Sequence, residues 1–333
     1  MNVDSIVKDV KSRLLDTIPI LRTPKTVQIM LIRQTHDYTI LRTEETRELN
    51  VAVTPASISN PAQRARVAFL ASKQKAPETR EFAAMIKEYY RSYMLESKAE
   101  KVLTPAEKAI LECEIKDRLC RACPRCTLFG AVVTDEKSPI WKYKWNIKHR
   151  IEYSSAFSIE PYDLISENIT FNAVTESTQL TEQALGSTEN VAPVVNFPSI
   201  VSLNSPTWEE LVLVIKNILR CKSYGAEGRT KGDVVNYITG LIFADEEVLT
   251  SLEYVLELSE PRIDKDFIQA TYNIAQKYGK MATFQEALRI LSPQELENFV
   301  DYVQTLRIEK EFITEAFNDS LNFGKQIEEL TKE

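Results

Sequence analysis

Histidine is nearly missing from this 333-residue chain: His36 and His149 are the only two. Little is left for histidine-based catalysis, and neither H-E-x-x-H nor G-x-S-x-G occurs. Glycine is scarce too, at eight residues, and no stretch matches G-x-x-x-x-G-K-S/T or G-x-G-x-x-G. A conventional nucleotide cradle is therefore not expected. Long apolar runs are absent. The longest aliphatic one, Leu211 to Ile215, falls far short of the ~20 residues that span a bilayer. The opening MNVDSIVKDVKSRLLD puts charges through its apolar positions, which excludes a signal peptide and leaves an amphipathic helix. Cysteine is rare at five residues, and without an export signal a reducing compartment is expected. There, thiols serve as metal ligands or buried groups more often than as disulfides. Finally, Lys and Arg are wholly missing from residues 151–215, which carry nine Asp/Glu.

What is present is an ordinary globular mix, 44% hydrophobic and 27% charged, long enough for about two domains. The net charge of −7 argues against nucleic acid, but its distribution does not. Residues 116–150 hold nine Lys/Arg against three Asp/Glu, and residues 295–333 hold ten acids against four bases. A basic strip lies inside an acidic chain.

The periodicity predicts a helix over residues 3–18, with Val3, Ile6, Val7, Val10, Leu14 and Ile18 on one face. VQIMLIRQ (27–34) and YTILRTEETRELNVAVT (38–54) read as strands, and residues 60–119 as helical. Thr104-Pro105-Ala106-Glu107 is a capping box with proline at N1, starting a helix expected to run towards Cys120. LFGAVV and KHRIEYSSAFSI read as strands. Residues 170–190, eleven of them Ser, Thr, Asn or Gln, read as a polar loop or hairpin. Thr207 to Glu210 caps another helix, VVNYITGLIF returns to strand, and residues from about 264 read as helix, with Ser292-Pro293-Gln294-Glu295 a further start signal. The sum is an α+β core with appended domains.

Four of the five cysteines, Cys113, Cys120, Cys123 and Cys126, fall within fourteen residues as C-x6-C-x2-C-x2-C. Four thiolates at such spacing suit one tetrahedral zinc, with Zn–S bonds of about 2.3 Å, in a closed structural site. On a continuous helix Cys113 and Cys120 would share a face. Arg118, Arg121 and Arg125 stand ready to offset the charge. An iron–sulfur cluster or unrelated buried thiols are the alternatives. Cys221, far off in sequence, reads as a buried thiol.

WKYKWNIKHRIEY (141–153) interleaves bases with aromatics, as single-stranded nucleic-acid binders do. Strand alternation would put Lys148 and Arg150 on one face and His149 on the other. A solvated strand edge with tryptophans in the core is the alternative. RCKSYGAEGRTKG (220–232) sets Arg220, Lys222, Arg229 and Lys231 around Gly225, Gly228 and Gly232, where backbone amides could approach phosphate. A plain connecting loop is the alternative.

RACPRCTLFGAV (121–132), IKHRIEYSSAFSI (147–159), ITFNAVTESTQ (169–179), FPSIVSLNSPTWEELVLVIKNILRCKSYGAEGRTKGDV (197–234) and HDYTILRTEE (36–45) together resemble the guide-RNA-binding backbone subunit of the type I-D CRISPR Cascade complex. The resemblance spans most of residues 25–250. It implies an RNA-recognition-motif-like antiparallel core (1–60 and 127–262), a helical zinc-binding insertion (61–126), a lid or thumb insertion (165–196) and a helical domain (263–333). It implies several copies stacked head to tail on the spacer of a CRISPR RNA, in a prokaryotic cytoplasm and off any membrane, with target DNA met through the guide and other Cascade subunits as partners. The expected RNA contacts are Arg42, Lys148, Arg150, Tyr153, Arg220, Lys222, Tyr224, Gly225, Arg229 and Lys231. Phe171 and Asn172 are expected in the base-displacing thumb. Related backbone subunits of type III complexes cleave RNA with an acidic loop residue, which makes Asp37 the one weak catalytic candidate beside a non-catalytic reading. A zinc-stabilised RNA-binding scaffold outside CRISPR immunity is the remaining alternative.

Overall fold

The computed structural model describes residues 2–43, 46–95, 102–115, 118–133, 138–174, 181–227, 230–261 and 266–332, without the side chains of 171–174, 181–185, 226, 227 and 230. The N-terminal helix α1 (Val3–Ser12) ends earlier than its periodicity suggests, yet Leu14 and Ile18 beyond it remain buried with Ile6, Val7 and Val10. Strand β1 (Thr26–Thr35) follows. The expected long strand over 38–54 is mostly irregular, and only β2 (Val51–Pro55) forms. It pairs with β3 (Gln63–Phe69), a stretch of good helix formers that pairing holds extended. Helix α2 (Ala71–Tyr89) runs on into a π-turn, Tyr90–Met94.

Helix α3 (Pro105–Leu111) carries the predicted capping box, and α4 (Pro124–Phe129) takes the first two residues of the strand expected at LFGAVV, of which only an isolated Ala131–Ile147 bridge forms. Next come β4 (Ile151–Tyr153), β5 (Ala156–Phe157) and α5 (Tyr162–Ile165). The polar segment is a hairpin of β6 (Ser166–Val174) and β7 (Thr181–Val191). Strand β8 (Asn196–Asn204) leads into α6 (Trp208–Arg220), whose Thr207–Glu210 capping box is formed. The glycine segment is a second hairpin, β9 (Ser223–Glu227) against β10 (Thr230–Ala244). The remainder is α7 (Ser251–Leu258), α8 (Phe267–Gly279), the short β11 (Arg289–Ile290), α9 (Pro293–Thr305) and α10 (Lys310–Leu330).

The main sheet is antiparallel in the order β11-β10-β1-β8-β4, with β1 at its centre. Alternation along β1 divides the core. Val27, Ile29 and Leu31 join one apolar cluster with residues of α1, α2, α6, α9 and α10. Met30 and Ile32 join a second with residues of α7 and α8. Both faces of the sheet are thus covered by helices. A third cluster, built on Val67, Phe69, Val191 and Phe197, ties the β2-β3-β5 sheet to the β6–β7 hairpin.

Candidate metal centre and nucleic-acid surface

The chain leaves α3 at Leu111, so Cys113 and Cys120 do not share a helix. A tight loop with a Glu114–Arg118 bridge brings them together instead. Cys123 then caps α4, with Pro124 at its first position, and Cys126 lies one turn on. All four sulfurs are buried and lie within 4.8 Å of one another. Cys113 Sγ is 3.4 Å from Cys126 Sγ and 3.8 Å from Cys123 Sγ, and Cys120 Sγ is 3.9 Å from Cys126 Sγ. Tetrahedral zinc with ~2.3 Å bonds needs sulfurs ~3.8 Å apart. The set therefore fits one metal ion. Backbone amides of Cys120 and Ala122 donate to Cys113 Sγ and Cys120 Sγ, each at 3.4 Å, as they would to thiolates. Among the described residues no other cluster could hold a metal.

Of the three arginines expected to offset the charge, only Arg125 reaches a sulfur, with Nη1 4.0 Å from Cys126 Sγ. Arg118 pairs with Glu112 and Glu114. Arg121 turns away to the Trp145 and Tyr143 carbonyls and lies over the Trp145 ring. The knuckle is braced from outside by the basic strip and the C-terminal helix. Trp141 Nε1 donates to the Cys120 carbonyl at 2.9 Å. Trp141 is seated on α10 where Gly324 leaves room; a Cβ there would stand 2.4 Å from the indole. Glu328 accepts from the Lys142 and Tyr143 amides, and Thr127 meets Ser320 at 3.1 Å.

Three expected RNA contacts are turned inward, Arg150 and Tyr224 buried and Tyr153 half-buried. Strand β4 begins only at Ile151, so the 148–150 alternation fails: Lys148 and His149 are exposed and Arg150 is buried. The Arg150 guanidinium pairs with Glu210 and donates to the Thr127 and Ser205 carbonyls. The hydroxyls of Tyr153 and Tyr224 both donate to Glu78, each at 2.7 Å. Glu78 in turn meets Arg33 at 2.5 Å with neither side chain exposed, and Arg33 also donates to Asn236 and Ser199. Burial alone would lower the Arg33 guanidinium, but the Glu78 carboxylate holds it above its ordinary value. This network joins α2 to β1, β4, β9 and β10. Trp141 and Trp145, 5% and 7% exposed, are core anchors and not stacking platforms.

The other expected contacts stand at the surface. Lys148 and Lys222 are exposed. Arg220 pairs with Glu81 at 3.1 Å, Lys231 with Asp233 at 2.5 Å, and Arg42 donates to the Thr46 carbonyl at 2.7 Å. Gly225, at φ +103°, lies where a Cβ would meet the Ile40 carbonyl at 3.1 Å, and one at Gly232 would meet the Tyr224 carbonyl at 2.3 Å. Close packing of the hairpin on the 39–40 segment explains both glycines. Arg229 and Gly228 lie outside the described residues, as do the side chains of Phe171 and Asn172, which sit at bulges of β6. The Asp37 carboxylate accepts from the Tyr38 amide at 2.7 Å, a turn contact.

Sequence reading missed a basic cleft of about 780 Å³ between α2 and the cysteine knuckle, lined by Lys75, Arg80, Lys87 and Arg125. Its signal, bases spaced along an otherwise plain helix, is weak without the knuckle opposite.

The family model described as Csc2 Crispr matches residues 13–333. The chain belongs to the Csc2 CRISPR family. Within that family's fold, the crystal structure of Thermofilum pendens Csc2 superimposes with a TM-score of 0.67 at 17% identity, covering 100% of this chain and 98% of that one. Two chains described as CRISPR RNA-guided surveillance complexes are more remote. One has a TM-score of 0.48 at 10% identity, covering 88% of this chain and 98% of its own. The other, in a pre-nicking state, has 0.45 at 12%, covering 77% and 88%. No curated protein matches the sequence. Among the described residues no helix is long and apolar enough to cross a membrane.

Proposed function

We propose that this Csc2-family chain is a guide-RNA-binding backbone subunit of a type I-D CRISPR surveillance complex. Several copies stack head to tail on the spacer and leave its bases free to pair with target DNA. The observation that carries the reading is the family match across residues 13–333. The antiparallel core is read as an RNA-recognition-motif type, the β6–β7 hairpin as the thumb with Phe171 and Asn172, and the four cysteines as a structural zinc site. Sulfurs this close favour a single ion over an iron–sulfur cluster.

Base edges must stay open for pairing, so the protein grips phosphate and sugar. Arg42, Lys148, Arg220, Lys222 and Lys231 supply that grip from the surface. Arg150, Tyr153 and Tyr224 act from within, holding the elements that carry them. Zinc, when bound, supplies no chemistry beyond tying Cys113 to the knuckle. Binding should weaken with salt by about 0.7 log units per log unit for each phosphate contacted on a single strand. Lys148→Ala with Lys222→Ala should lower the slope of log K by about 1.4, measured by anisotropy on a labelled single-stranded RNA. Salt-insensitive binding, or copurified RNA unrelated to CRISPR repeats, contradicts the reading.

A further inference from the structure

The cleft between α2 and the cysteine knuckle is more basic than its surroundings require. Lys75, Arg80, Lys87 and Arg125 line it, against one acid, Glu114, already engaged by Arg118 at 3.7 Å. Among the described residues, Lys75, Arg80 and Lys87 have no side-chain hydrogen bond or ion pair, and Arg125 is 4% exposed at the base of the cleft. Burial, together with the Arg125 guanidinium, pushes the Lys75 ammonium below its ordinary value. Lys75 and Lys87 are half-buried and Arg80 is exposed, and Lys75 stands beside the Arg125 guanidinium with Glu152 as its opposing charge. Cations gathered on one wall repel one another, and a bound anion relieves that repulsion.

We propose that this cleft carries a stretch of single-stranded nucleic-acid backbone, held by Lys75, Arg80 and Lys87 through its phosphates. The proposal rests on the guide-RNA reading and extends the path of that RNA. Lys75 to Lys87 covers twelve residues, ~18 Å of helix at 1.5 Å per residue. A phosphodiester chain brings one charge per unit and can meet all three cations along that length. Small α2 residues, Ala76 and Ala83, leave the wall open between them. The path also joins the surface already assigned. Burial and the charges of Lys75 and Lys148 push His149 down against the pull of Glu152, so both ammonium groups act on that one ring. The opposite wall is Cys113, Glu114 and Arg125. The cysteine centre, with Cys113 3% exposed, therefore shapes one wall of the groove.

The test compares wild type with Lys75→Ala/Arg80→Ala/Lys87→Ala in the full chain, on a labelled 30-nucleotide single-stranded RNA across a salt series. The expected result is a fall of about two in the salt slope, about 0.7 for each lost contact, with a melting temperature of the free protein no lower than wild type. An unchanged slope while the wild type binds overturns the cleft assignment. Loss of multi-copy assembly with the slope intact also overturns it, because the occupant is then an acidic surface of a second copy. Failure of the wild type to bind RNA overturns the broader reading instead. Should the triple variant misfold, a photo-crosslinking amino acid at the exposed Ala84 takes its place. A crosslink to RNA supports the cleft, and its absence while the RNA stays bound contradicts it.

Discussion

Lys148 and Arg150 are two residues apart and have opposite fates. The chain enters β4 only at Ile151, so Lys148 stays in solvent while Arg150 turns in to Glu210. Removing Arg150 strands a carboxylate that is 3% exposed. Arg150→Ala should therefore lose about 3–5 kcal/mol of stability in a denaturant titration, whereas Lys148→Ala should stay within about 0.5 kcal/mol and weaken RNA binding. Equal stability of the two variants contradicts the assignment. Composition and spacing cannot separate such neighbours, because a base in a mixed segment reads the same facing in or out. Arg33 shows the harder case. It sits in an apolar strand, and its partner Glu78 is forty-five residues away on a helix, a pairing no local pattern announces. Arg66 is similar: fully buried, it donates to the Ser158, Ile159 and Ala56 carbonyls without any carboxylate. The cysteine cluster was legible because its signal is local and rare.

Capping boxes at Thr104, Thr207 and Ser292 formed where the sequence put them, since a cap depends on four consecutive residues. Strand β3 was not legible, because its extension comes from β2 and β5. The C-terminal helix α10 has two consequences at this scale. It packs on the knuckle through Gly324, Ser320 and Glu328, so chelation of the metal should loosen it before the sheet. Hydrogen exchange should then rise in 113–130 and 316–328 first, and simultaneous exchange in β1 contradicts that order. It also places Asp319 near Glu210 and Glu315. Burial and those carboxylates push Asp319 up to about 6 from 3.8. Its folded pKa lies above the unfolded one, so the ionised form opposes docking above pH 6 and the penalty fades as pH falls towards 3.8. Asp319→Asn should raise the melting temperature at pH 8 and match wild type near pH 4. The same gap at both pH values contradicts this origin.

For the molecule as a whole, the sheet is sealed on both faces. On the proposed function, nucleic acid would therefore meet loops, hairpins and the outer side of α2 rather than an open sheet. The helical C-terminal region and the polar hairpin were legible from composition. The groove was not, because it exists only where α2 faces the folded knuckle. The basic strip also proved less uniform than its composition: Arg121, Arg125 and Arg150 are interior, leaving Arg118, Lys142, Lys144 and Lys148 as its described surface. A subunit that grips backbone without reading sequence should load along any guide of adequate length, and a head-to-tail contact that does not close sets no upper number. Native mass spectrometry of the protein with guide RNAs of increasing spacer length tests this most directly. The predicted result is complexes that grow by one protein mass for each fixed increment of RNA. One copy per RNA at every length, or protein that stays free of RNA, would contradict it.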